Sequence, residues 1–312
     1  MQQLRHMGRL RVLGLCLLVM SACTTEDTPT PRTDADPFDL TLALALARLN
    51  LQAYQQLDHY RDDRVFVLPA PYRLEAQLVT AVHFAGDIFA GDEIVPIGFI
   101  ASADNAIYVV FRGTKAMSEW LGDVTFTQED FAFVADSGRT HQGFTSVYQH
   151  FRLAMITAVR HLINTGTYTR LYVVGHSLGG ALAVLATLEL RERTTLEPLL
   201  YNYGAPRVGD RAFRDRYRAL IRTSWRVVNT NDVVPDVPPT SLIDGFPPRE
   251  IAYQHVFSPR EITFGRTIND PLDVFSIRSN HNLCNHYNAL CAETNDVAGC
   301  RALADGVDDC NR

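Results

Sequence analysis

Residues 170–190 read RLYVVGHSLGGALAVLATLEL and contain Gly175-His176-Ser177-Leu178-Gly179, a G-x-S-x-G motif. Residues 171–174 form a short apolar, β-branched run, the pattern of a fully buried strand. Residues 181–190 are apolar and rich in helix formers. The spacing therefore predicts Ser177 on a sharp strand-to-helix turn that points its Oγ outward. Glycines flank it because a Cβ at either place would collide with the neighbouring strand and helix. A serine so placed is a candidate nucleophile for acyl transfer, and the helix beginning beside it turns free N–H groups toward developing negative charge. Two glycines and a serine at this spacing also arise by accident, so the assignment rests on the strand-turn-helix context and on a base and an acid elsewhere in the chain.

The chain order expected on such a fold is serine, acid, base, each on a loop after a strand. Residues 225–229 read as a strand, and Asp232 is the first carboxylate beyond it; Asp236 and Asp244 are rivals further along. An aspartate there is otherwise an ordinary turn former. Three histidines follow: His255, His281 and His286. His255 lies in an alternating, strand-like segment and reads as structural. His281 precedes a predicted helix, where a loop imidazole reaches across to the serine, and His286 falls inside that helix. Position favours His281 over His286.

An oxyanion hole is expected from the backbone N–H groups of Leu178 and Thr114, the latter at the end of a buried strand in Phe111-Arg112-Gly113-Thr114. Directly after it, Met117, Trp120, Leu121 and Val124 recur at i, i+3, i+4, i+7, with Ser118, Glu119 and Asp123 on the other side. Core packing produces such a stripe. Its position beside Thr114 instead suggests a lid whose apolar face covers the site in water and turns to a lipid surface.

Several elements must position these groups. Residues 37–60 carry a helical apolar stripe at Leu42, Leu46, Leu49, Ala53 and Leu57. Residues 77–84 alternate as a strand, and 97–101 with 106–111 form a hairpin about 102–105. A long helix over 143–164, strands at 199–203 and 225–229, and a helix at 211–221 follow. Strand and helix alternate, which predicts a single α/β domain with a mostly parallel central sheet covered by helices on both faces. Beyond Asp232 the chain is proline-rich and predicted to be largely loop.

The N-terminus reads as an export signal. Arg5, Arg9 and Arg11 form a positive region before an apolar run too short to span a bilayer, ending in the small pair Ser21-Ala22. Cys23 follows, and Met20-Ser21-Ala22-Cys23 resembles a bacterial lipobox, with methionine where leucine is usual. Residues 1–22 are thus expected to be a lipoprotein signal peptide, Cys23 the lipid attachment site, and 23–37 a polar, proline-rich tether leading to the domain at 38–312. Thr24 after the cysteine favours an outer-membrane destination; plain secretion is the alternative. The formal charge is −6, or −9 without the three signal arginines, and no basic patch stands out, which argues against nucleic acid as a partner. Cys284, Cys291, Cys300 and Cys310 cluster at the C-terminus and read as two disulfides stapling about 284–310, with the pairing open; the spacing does not suit zinc.

Together, these motifs resemble the fungal-type (class 3) lipase family, within the α/β-hydrolase superfamily. The resemblance runs over about 40–293. It is carried by Phe111-Arg112-Gly113-Thr114, Trp120, His141-Gln142-Gly143-Phe144, Gly175-His176-Ser177-Leu178-Gly179-Gly180, Gly204-Ala205-Pro206-Arg207-Val208-Gly209, and Asn231-Asp232-Val233-Val234-Pro235 with Pro238-Pro239. It implies an α/β-hydrolase fold, acyl esters as substrates and no cofactor. It maps Ser177, Asp232 and Thr114 onto nucleophile, acid and oxyanion residue. It also lowers His255, whose Tyr253-Gln254-His255-Val256 matches a non-catalytic family segment. If His281 is the family's base, His286 stands where a tyrosine is usual. The expected protein is a monomeric, lipid-anchored, triacylglycerol lipase-like serine ester hydrolase acting at a membrane or droplet surface. A phospholipase A1, a feruloyl or short-chain esterase, and a non-catalytic surface lipoprotein are the alternatives.

Overall fold

The computed structural model describes residues 37–81, 94–114, 126–244, 248–267 and 273–304. The signal, Cys23, most of the tether, the four lid candidates Met117, Trp120, Leu121 and Val124, and Cys310 lie outside the described residues.

Helix α1 (Leu40–Arg61) starts where the Asp39 side chain accepts from the Leu42 N–H, and it buries Leu46, Leu49, Ala53 and Leu57. The stripe seen in the sequence thus becomes one wall of the core. Strands β1 (Arg73–Thr80), β2 (Val95–Ala103) and β3 (Ala106–Phe111) follow. β2 and β3 form the expected antiparallel hairpin, with Asp104 at φ 49° in its turn. β1 pairs antiparallel with β2, beginning four residues before the predicted strand at 77–84.

A small ribbon of β4 (Gln128–Asp130) and β5 (Arg139–His141) leads into helix α2 (Gln142–Thr165). The His141 Nδ1 accepts from the N–H groups of Gly143 and Phe144, capping that helix. Next come β6 (Arg170–His176), helix α3 (Leu178–Arg193), β7 (Pro198–Tyr203), helix α4 (Arg211–Leu220) and β8 (Ser224–Asn229). The stretch after Asp232, expected as loop, holds a short 3-10 turn, the hairpin β9 (Ser241–Asp244) and β10 (Arg249–Ala252), and an edge strand β11 (Pro259–Ile262). Three helices close the described chain: α5 (Val274–His281), α6 (Leu283–Cys291) and α7 (Val297–Ala302).

Among the described residues the central sheet has seven strands in the order β1-β2-β3-β6-β7-β8-β11. From β3 onward every pairing is parallel, and only the β1-β2-β3 edge is antiparallel. Separate apolar clusters cover the two faces, one built on α2 and α3, the other on α1 and α6. Burial on both faces explains why β3 and β6 read as continuous apolar runs rather than alternating ones.

Cys291 and Cys300 are disulfide-bonded, and Cys284 is disulfide-bonded as well. One charged group is fully buried where α2 meets α3. Glu189 accepts from the Tyr148 hydroxyl at 2.7 Å and from Arg152 Nε at 2.9 Å, with a further Arg152 N–H on its other oxygen. Replacing it, as in Glu189→Ala, leaves the buried Tyr148 hydroxyl without its acceptor and the partly buried Arg152 guanidinium without its carboxylate. The expected loss is about 3 kcal/mol, read as a lower urea midpoint with an unchanged denaturant slope.

Candidate active site

Ser177 sits between the end of β6 and the start of α3, at φ 59° and ψ −130°. A non-glycine residue with positive φ is strained, and the surrounding contacts must hold it there. They do so tightly. The Ser177 N–H donates to the Tyr203 carbonyl of β7 at 2.9 Å, and its own carbonyl accepts from Gly180 at 2.8 Å. A Cβ at Gly175 would lie 2.1 Å from the Gly179 carbonyl oxygen, and one at Gly179 would lie 2.4 Å from the carbonyl oxygens of Phe111 and Arg112. Only hydrogen fits at either place, because strand, turn and helix are in backbone contact.

The segment after β3 lies against the same turn. A Cβ at Gly113 would fall 2.8 Å from Ser177 Cβ, so Gly113-Thr114 runs directly past the serine. Thr114 is buried there, and Leu178 is the first residue of α3, where a helix has N–H groups without intrahelical acceptors.

Asp232 follows the turn at the end of β8. Its Oδ2 accepts from His281 Nδ1 at 2.7 Å, and its Oδ1 accepts from the Val234 N–H at 3.0 Å. Both groups are buried. With Nδ1 donating, Nε2 keeps its lone pair, and it has no hydrogen-bond partner among the described residues. The ring stands over Gly204, at the end of β7: a Cβ there would meet His281 Cε1 at 3.0 Å and Asp232 Oδ2 at 2.9 Å. It also lies 4.6 Å, centroid to centroid, from the ring of His176, the residue before the serine. The imidazole and the serine turn thus share the carboxyl edge of the sheet. The expected loop placement of His281 needs correction, however. It is the last residue of α5, and Asn282 ends that helix while capping α6.

The rival groups go elsewhere. Asp236 is exposed in the 3-10 turn, and Asp244 ends β9. His255 lies outside the named strands, and its ring meets the Pro235 carbonyl at 2.8 Å; burial and nearby arginines hold it well below the ordinary histidine range. His286 is wholly buried in α6. Its Nδ1 donates to the Asn282 carbonyl at 3.0 Å, and its ring stands edge-on to Phe264. Burial pushes its pKa down to about 4.

A further group of residues has no obvious motif. The Tyr54 hydroxyl of α1 accepts from the Gly113 N–H at 2.9 Å and lies 2.6 Å from His176 Nδ1, while His176 Nε2 lies 2.7 Å from the His281 carbonyl. A carbonyl only accepts, so Nε2 carries the proton and Tyr54 donates to Nδ1. Burial, first, and the neighbouring histidines keep His176 well below its ordinary pKa, as that tautomer requires. The chain of bonds joins the segment beside the serine to the backbone of His281. Sequence reading treats Tyr54 as part of a packing helix and His176 as the variable residue of the motif. The one signal in the sequence is a histidine next to the serine.

A doubly covered, mostly parallel sheet with a serine on a strained strand-to-helix turn is an α/β-hydrolase fold. Residues 108–242 match the family model described as lipase (class 3), and the chain's likeness is to the fungal-type lipases of that family. A lipase of Rhizomucor miehei is 33% identical over 144 residues, covering 45% of this chain and 39% of that one. Secreted mono- and diacylglycerol lipase A of Penicillium cyclopium is 33% identical over 147 residues, 46% of this chain and 48% of its own. The chain thus spans less than half the length of these curated relatives. Among solved structures, the lipase from Rhizopus microsporus var. chinensis shares the fold with a TM-score of 0.59 at 23% identity, covering 84% of this chain and 91% of that one.

The depressed histidines set an acid limit on stability. A group whose folded pKa lies below its unfolded value adds stability above the unfolded value, near pH 6.5, and loses it as pH falls toward the folded one. For His286, with a folded value of about 4, the loss between pH 7 and pH 5 is about 2 kcal/mol. His286→Gln cannot titrate, so its unfolding free energy should fall less steeply over that interval in urea titrations at the two pH values.

Proposed function

We propose that this chain is a serine carboxylic-ester hydrolase, triacylglycerol lipase-like, working through a Ser177-His281-Asp232 triad and an acyl-enzyme. The observation that carries the reading is the buried Asp232–His281 hydrogen bond, with Nε2 left open beside the strained Ser177 turn. In the first half-reaction His281 Nε2 takes the proton from Ser177 Oγ as that oxygen attacks the ester carbonyl. Asp232 steadies the imidazolium through Nδ1–H without being protonated itself. The N–H groups of Leu178 and Thr114 receive the oxyanion. His281 then returns the proton to the departing alcohol, and water repeats the sequence to free the acid. No step calls for a cofactor.

The substrate class follows from the likeness to lipases and from the sequence stripe Met117-Trp120-Leu121-Val124, which we assign to a lid. Val274 and Phe275 are exposed at the start of the helix that ends in His281, which suits a rim meeting lipid. Export with Cys23 as a lipid anchor, and a tether over 23–37, would hold the enzyme at the bacterial envelope, where secreted relatives offer a precedent for leaving the cytoplasm.

Ser177→Ala should lower kcat on a short-chain aryl ester by about 10³ or more in a folded protein, and His281→Ala should lower it nearly as far, with the double variant little worse than either. Near-normal turnover by Ser177→Ala would end this reading. Cys23→Ser should move the protein from the membrane pellet to the supernatant, since stable anchoring needs more than one acyl chain and Cys23 is where they would be carried.

A further inference from the structure

The Asp232–His281 contact joins two segments far apart in sequence: a turn after β8 and the last residue of α5. α5 has only eight residues, and its first two are exposed. A helix that short has little stability of its own and needs tertiary ties to fix its end. The structure supplies them beside the site. Asn229, at the end of β8, donates from Nδ2 to the Asn280 carbonyl at 2.9 Å. Asn280, next to His281, donates from Nδ2 to the carbonyl of Asn231, next to Asp232, at 2.9 Å. Each side-chain amide thus holds the peptide beside the other partner's functional residue.

The surroundings close the arrangement. Asn229 Oδ1 accepts from the N–H groups of Asn231 at 3.3 Å and Phe264 at 3.1 Å, and Asn280 Nδ2 also reaches the Arg266 carbonyl at 2.8 Å. Both side chains are almost wholly buried. The amide orientation of Asn280 is settled by its neighbours, since a flipped group would set its oxygen against two carbonyl oxygens. At Gly265, φ is 71° and a Cβ would come within 1.9 Å of Asn280 Oδ1, so the segment after β11 closes over this amide only because a glycine is there. An aspartate at 280 would bring negative charge against those carbonyls, and a leucine would leave them without donors.

We propose that Asn229 and Asn280 are positioning residues: a reciprocal pair of side-chain amides that sets the spacing of Asp232 and His281. The proposal rests on the triad reading above. Small errors in such spacing are costly, because displacement of a catalytic group by about 1 Å removes about 10²-fold in rate.

The test compares the mature wild-type protein with Asn280→Ala in steady-state turnover of a short-chain aryl ester and in the far-downfield proton NMR resonance of His281 Nδ1–H. The expected result is a fall in kcat of about 10- to 100-fold with KM within about twofold, and loss or a marked shift of the resonance. An amide that only satisfies loop carbonyls would lower the urea midpoint and leave the resonance in place. If Asn280→Ala does not fold, Asn229→Ser loosens the same pair from the acid's side and is read identically. An unchanged resonance in the folded variant overturns the proposal, as does wild-type kcat with a shifted resonance. If the wild type turns over no ester, the hydrolase reading fails, while the resonance, recorded without substrate, still decides whether the amides set the contact.

Discussion

The structure depends on one strained turn. Ser177 adopts a positive φ because β6 passes into α3 with no room for a looser connection. The strain persists because backbone meets backbone on every side: Gly175 against Gly179, and Gly179 against the end of β3. Three parallel strands, β3, β6 and β7, therefore end at one level, with the serine in the middle. The buried face of α3 and its clusters on the sheet hold that level.

Around this turn, environment assigns different tasks to chemically identical side chains. His281 has a carboxylate at one nitrogen and, among the described residues, no partner at the other. His176, beside the serine, is locked between a tyrosine hydroxyl and a carbonyl and kept neutral by burial. His286 is buried against Phe264, with its Nδ1 on the carbonyl of Asn282, the residue that caps its helix. Of the three, His176 uses both of its nitrogens, one as acceptor and one as donor, as a neutral ring can. The same economy appears in Tyr54, whose single hydroxyl accepts from Gly113 and donates to His176.

The C-terminal helices support the base from the far side. α6 packs with α1 in the second apolar cluster, and the Cys291–Cys300 bridge ties it to α7. Tyr287 adds a hydrogen bond to the Cys300 carbonyl at 2.5 Å. Asn282 links this stapled unit directly to His281, since it ends one helix and caps the next. The cross-link ties α7, which buries none of its residues, to α6, whose Leu283, Tyr287 and Leu290 lie in the core.

Local physics was legible in the sequence. The apolar run, the glycines and the helix formers around Ser177 determine a strand, a turn and a helix. The hairpin of β2 and β3 and the alternation that builds a parallel sheet follow from patterns only a few residues long. The edge strand β11 was not legible, because only Ile262 of its four residues, Pro259–Ile262, is buried and they carry no apolar run. Nor was the helical end of His281: α5 is short, with polar residues interrupting its apolar ones. Sequence order left three aspartates and three histidines available, and position could only rank them. Their pairing was decided by the tertiary structure, since Asp232 and His281 meet across 49 residues at 2.7 Å. Asn229, Asn280 and Tyr54 were invisible for the same reason. Each looks like an ordinary loop or packing residue until the fold brings a carbonyl, an amide or an imidazole within reach. Local propensity is written along the chain, whereas a hydrogen bond between distant segments exists only once packing has set the distance.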